Sequence, residues 1–185
     1  MWTAAKSFIE SAIDKEYNEE QVGLMRTGRP GRSKYKRGLN LIKVSSDCDV
    51  GSLVHEWGHH LQNANPHFLE RCAEFLRYRA EKSGGEAGKV RPLHKLLPDK
   101  PYGDDEFAIS DSFWDAYCGK VYSGQRGKAI PVEHGSKHGP IKTYDVVDTE
   151  LLSMGLQYLY VKPIDFLLHD PEYYGFIMSL LKGEI

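Results

Sequence analysis

"GSLVHEWGHHLQNAN", residues 51–65, places three histidines and a glutamate within what otherwise reads as a buried helix. On a helical wheel at about 100° per residue, Val50, Leu53, Val54, Trp57 and Leu61 form one apolar stripe. His55 and His59 lie together on the other side, one turn apart, with Ser52 and Gln62 beside them. Side chains at i and i+4 are neighbours on a helix, so the two imidazoles can converge on one cation. Glu56 flanks the pair, where it can reach a water without ligating the metal. His60 is rotated away and reads as a bystander. Gly58 in mid-helix costs about 1 kcal/mol relative to Ala. Its bare backbone fits a site where another backbone or a substrate comes close.

The arrangement His55-Glu56-Trp57-Gly58-His59 is the H-E-x-x-H pattern, two ligands and a base on one helix. Neutral imidazole suits zinc, and catalytic zinc takes three protein ligands with an open fourth position. A variant that adds a nearby third histidine would need Gly at 62 and His at 65, but the chain has Gln62 and Asn65. The third ligand is therefore sought further on. Glu150, in "DTELLSMGLQYLY" (148–160), leads: on a helix it shares a face with Ser153, Met154 and Gln157, opposite Leu152, Leu156 and Leu159. His134 and His138 are the alternatives, and Asp148 reads as that helix's cap.

Working outward, residues 3–20 carry a helical apolar face of Ala4, Phe8, Ile9, Ala12 and Ile13. "RTGRPGRSKYKRG" (26–38) reads as a solvated basic loop, with contact to phosphate or an acidic partner as the functional alternative. "LNLIKV" (39–44) is a strand, and "SSDCD" after it supplies caps for the central helix over 50–63. A second helix spans 66–82. Residues 83–104 and 123–144 read as irregular, and 106–122 as short helices. Helices over 148–160 and 163–182 close the chain, the last restarting at Asp170-Pro171.

Composition bounds the rest. The chain has 185 residues, 41% of them hydrophobic, and a net charge of −2, which gives no call for nucleic acid. Cys48, Cys72 and Cys118 are odd in number and scattered, which points to a reducing compartment and not to a disulfide framework. With no signal-type segment and no run approaching roughly 18 apolar residues, the expectation is one cytoplasmic domain over 1–185 with no membrane partner.

These motifs resemble the gluzincin pattern of thermolysin-like metallopeptidases, in which a second helix supplies a Glu in an E-x-x-S context, here Glu150-Leu151-Leu152-Ser153. They are similar, more closely, to zincin-like domains of phage head, minor capsid and prophage-encoded proteins. "LVHEWGHHLQ", "PYGDDEF…DAYCGKVY", "TELLSMGLQYLY" and "DPEYYGFIMSLL" carry that likeness, over less than half of the chain. The chain departs from thermolysin in its shortness, in Thr149 before the Glu, and in Met154 where an acidic residue would orient a zinc-bound histidine. Asp111, Asp115 or Asp148 would then orient His55 or His59.

The resemblance implies an α+β, mostly helical fold with a small sheet, including 39–44, beside the metal helix. It implies Zn²⁺ on His55, His59 and Glu150, and Glu56 as general base in peptide-bond hydrolysis. Donors for the developing oxyanion come from Tyr144, Tyr158, Tyr160, His134 and His138, with Tyr144 or a loop histidine favoured. The partner is a protein or peptide substrate, with a phage particle or other protein as a further one. Two other functions fit the same residues. One is a non-catalytic virion or interaction module retaining the fold; the other is a host-targeting protease effector, exported by a specialised system.

Overall fold

The computed structural model describes residues 1–17, 20–83, 90–104, 106–110, 113–130 and 144–185, with backbone alone for 123–130 and 144–145. The fold is α+β and mostly helical, with small sheets. Its contacts separate two compact units, Met1–Phe68 with Leu152–Ile185, and Leu69–Leu151. Among the described residues no helix is long and apolar enough to cross a membrane.

The first unit opens with α1 (Trp2–Ala12), which buries Ala5 and Ile9 and stacks Trp2 on Trp57 with ring centroids 4.5 Å apart. The helix stops eight residues short of the sequence expectation, because the Asp14 N–H is taken by the Leu181 carbonyl. A three-stranded sheet follows, of β1 (Gly23–Arg26), β2 (Lys34–Lys36) and β3 (Leu41–Val44), in the order β1-β3-β2. β1 runs parallel to β3 and β2 antiparallel to it, with Tyr35 opposite Ile42 and Lys34 opposite Lys43. The expected basic loop thus contains an edge strand. Residues alternate between faces of a strand, and Ile42 and Val44, at most 1% exposed, define the inner face.

That inner side meets α2 (Val50–Ala64), the helix of the opening motif. Asp49 caps it as the "SSDCD" segment suggests, its Oδ1 accepting from the Ser52 N–H at 2.6 Å. The helix ends at Asn65, before Pro66 begins α3 (Pro66–Ser83). Eleven of the fifteen α2 residues are buried, polar ones included, so its polar face lies inside the protein.

The second unit holds most of α3 and two hairpin-like pairs. β4 (Val90–Pro92) leads into α4 (Leu93–Leu96) and pairs antiparallel with β5 (Phe107–Ile109). A 3₁₀ turn, Ala116–Gly119, follows, capped by Asp115, then β6 (Val121–Ile130) pairs with β7 (Tyr144–Thr149). Of the short helices expected over 106–122 the structure has the 3₁₀ turn, and strands take up part of that range and part of the stretches expected to be irregular. Gly and Lys within β6 weaken its strand signal, and β4 and β5 are three residues each with partners distant in sequence.

α5 (Leu151–Val161) starts three residues later than its sequence signal. Asp148 and Thr149 belong to β7 instead, and the Thr149 Oγ1 accepts from the Leu151 N–H at 3.3 Å. Asp148, expected as the cap, bonds the Thr149 N–H. α6 (Pro163–His169) and α7 (Pro171–Leu181) complete the first unit, the break set by Asp170 capping Tyr173 and Pro171 at the first helical turn.

Within the first unit α5 lies hard against α2. A Cβ built on Gly58 would sit 2.5 Å from the Ser153 Cα and 2.9 Å from its nitrogen, both backbone atoms. The close approach that the sequence suggested at Gly58 is therefore one of backbone to backbone. Gly58→Ala should gain about 1 kcal/mol in helix propensity yet lose about 1–3 kcal/mol through overpacking. Urea unfolding is expected to give a lower midpoint for the alanine protein; an equal or higher one refutes the contact.

Candidate metal centre

α2 presents His55, Glu56 and His59 on its inward side, all at most 9% exposed. The two imidazoles meet edge to face, centroids 5.1 Å apart, as i and i+4 spacing dictates. Glu150 is fully buried at the junction of β7 and α5, just ahead of the helix that touches Gly58. One ligand atom each from His55, His59 and Glu150 lies within 4.8 Å of the others. Glu150 therefore joins the histidine pair in a group that could bind a metal ion, but from a strand-to-helix junction and not from within a helix.

Polar groups out of water need partners. Glu150 Oε1 accepts from the Tyr117 hydroxyl at 2.6 Å and from the Tyr122 hydroxyl at 2.5 Å. Burial, and then the charge of Glu150, pushes the Tyr122 phenol far above its usual range, so it remains a proton donor. Beside these rings, Lys120 is itself buried and paired with Glu106 at 2.5 Å. Glu56 Oε2 accepts the Tyr35 N–H of β2 at 2.5 Å. The base candidate is thus held by a strand, and the ligand candidate by two phenols.

His60 does not join the cluster, as the wheel predicts, yet it is no idle residue. At 1% exposure, its Nδ1 faces the Asn40 Oδ1 at 2.8 Å and its Nε2 the Glu20 carbonyl at 3.2 Å. Burial lowers its pKa, with the Glu20 carbonyl opposing. Asn40, at φ 44°, also accepts from the Tyr35 hydroxyl and donates to the Gln21 carbonyl.

Other acidic, histidine and tyrosine side chains have these partners. Asp115 caps the turn that carries Tyr117, and the Asp148 carboxylate accepts from the Thr149 N–H. His67 bonds the Ile185 carbonyl, and His169 the Asp165 carbonyl. Tyr158 packs on Phe166, and Tyr160 on Phe8 at the surface. Asp111, His134 and His138 lie outside the described residues, as does the side chain of Tyr144, which begins β7.

Tyr35, Tyr117 and Tyr122 escaped the sequence reading. Tyr117 and Tyr122 stand in "DAYCGKVY", but nothing in their spacing separates them from the other tyrosines of the 11 in the chain.

The donor set fits a divalent cation. Two neutral imidazoles and one carboxylate are donors zinc accepts, and both hydroxyls on Glu150 are neutral, so a cation there would offset a buried negative charge. Donors about 2.0–2.1 Å from one tetrahedral ion stand roughly 3.3 Å apart, within side-chain rotation of the present spacing. The kind of metal is not fixed by this geometry. Comparison with protein-family models, curated proteins and solved structures finds no match to the chain.

Tyr117→Phe and Tyr122→Phe each remove a bond to a charged acceptor, at about 1.5–3 kcal/mol. The double variant is expected to fall short of the summed losses, since both phenols share Oε1. Chemical denaturation of the metal-free proteins measures this; two neutral single variants would refute the role.

Proposed function

We propose that the chain is a metal-dependent hydrolase. More particularly, we read it as a zinc peptidase of zincin type, which hydrolyses peptide bonds. What carries the reading is the buried convergence of His55, His59 and Glu150, with a separately anchored carboxylate, Glu56, one residue along the same helix. A site meant only to hold a metal has no use for that second carboxylate.

His55, His59 and Glu150 would hold the cation, which when bound would supply Lewis acidity toward a water and toward the scissile carbonyl. Tyr117 and Tyr122 keep the Glu150 carboxylate oriented by donating to it. Glu56 acts as general base: its Oε2 stays on the Tyr35 N–H while Oε1 takes a proton from water and passes it to the leaving amine nitrogen. Tyr144 is proposed as donor to the developing oxyanion.

Metal analysis of the purified protein and cleavage of a peptide library test this together. His55→Ala and His59→Ala are expected to lose bound zinc. Glu56→Gln should keep zinc and fold while cleavage falls about 10²–10⁴-fold. If the wild type retains zinc and cuts no peptide, the protein is a binding or structural module; if it retains no metal, the centre itself is misread.

A further inference from the structure

Between Gln21 and Ser46 the chain has seven basic residues and no acidic one, although its overall charge is −2. The sheet arranges part of this excess on one face. Lys34 stands opposite Lys43 across β2 and β3, and Lys36 is two positions along. All three project away from the inner face defined by Ile42 and Val44, beside the exposed Met25 of β1. Like charges directly opposed in a sheet destabilise it, and among the described residues none of the three makes an ion pair. The neighbouring Lys34, then slight burial, hold the Lys36 amine below its usual pKa, with Lys43 adding to it. Bound anionic groups would relieve that repulsion.

We propose that the outer face of the β1-β3-β2 sheet, centred on Lys34, Lys36 and Lys43, docks an acidic segment of a polypeptide. Two observations favour a polypeptide over nucleic acid. Lys34 and Lys36 are spaced roughly 6.7 Å apart along the strand, the period of alternate side chains in an extended peptide. Single-stranded nucleic acid is gripped by stacking on aromatic rings, and Tyr35, the one aromatic residue between Gln21 and Ser46, is engaged by Asn40 and Asn63. That the docked segment belongs to the substrate rests on the hydrolytic reading above; the docking itself does not.

The test uses the full chain carrying Glu56→Gln, so that binding is measured without turnover. Fluorescence anisotropy compares an Asp/Glu-rich peptide, a neutral peptide of equal length and oligothymidylate. The acidic peptide is expected to bind about tenfold tighter than the neutral one, and to weaken with salt. K34Q/K36Q/K43Q should abolish that preference with circular dichroism unchanged. A control triple at the exposed Lys15, Lys95 and Lys100 should keep it. Equal affinity for both peptides, tighter binding of oligothymidylate, or a preference surviving K34Q/K36Q/K43Q overturns the proposal. With the wild-type chain, tight binding of an uncut acidic peptide sinks the hydrolytic reading alone. Equal cleavage of acidic and neutral peptides sinks the docking alone.

Discussion

The centre depends on a contact between two backbones. Gly58 has no side chain, and the Ser153 backbone occupies the space where one would be. Three residues upstream, Glu150 is bound to that contact by the chain itself, which spans at most about 3.6 Å per residue. A side chain at position 58 would move the start of α5, and with it the carboxylate facing His55 and His59. The glycine's cost in helix propensity is set against the placement of a ligand. A helix that buries its histidines needs something to bring a third donor to them, and this close packing does so.

Burial imposes the second constraint. α2 carries polar residues on a face that water does not reach, so each must be held or the helix would not fold there. Glu56 is held by a strand N–H, His60 by Asn40 and the Glu20 carbonyl, and Glu150 by two phenols. These partners come from regular elements or turns next to them, which fixes side chains more closely than a free loop would.

The parts legible in the sequence were those written locally. The i, i+4 histidines, the Asp49 cap, the need for Gly58 and the Asp170-Pro171 restart all follow from residues within one or two turns. Glu150 was legible as a donor because a lone carboxylate opens an apolar segment. Its structural setting was not, because β7 takes Asp148 and Thr149 by pairing with β6, a non-local event. β2 was hidden for the same reason: three residues, two of them lysine, become a strand only against β3. Tyr117 and Tyr122 reach Glu150 across about thirty residues, and no period or spacing in the chain records that distance.

β2 does more than its three residues suggest. Tyr35 gives its N–H to Glu56 and its hydroxyl to Asn40, where His60 also bonds, while Asn63 donates to that hydroxyl. Lys34 and Lys36 point the other way. A register slip of one residue would turn a lysine toward α2 and carry Tyr35 outward, removing the support of Glu56 and burying an unpaired ammonium. The correct register is therefore set by the polar groups under the strand as much as by Ile42 opposite Tyr35. The same alternation that turns the lysines outward keeps the Glu56 carboxylate fixed, so the charged face and that anchored carboxylate stand or fall together.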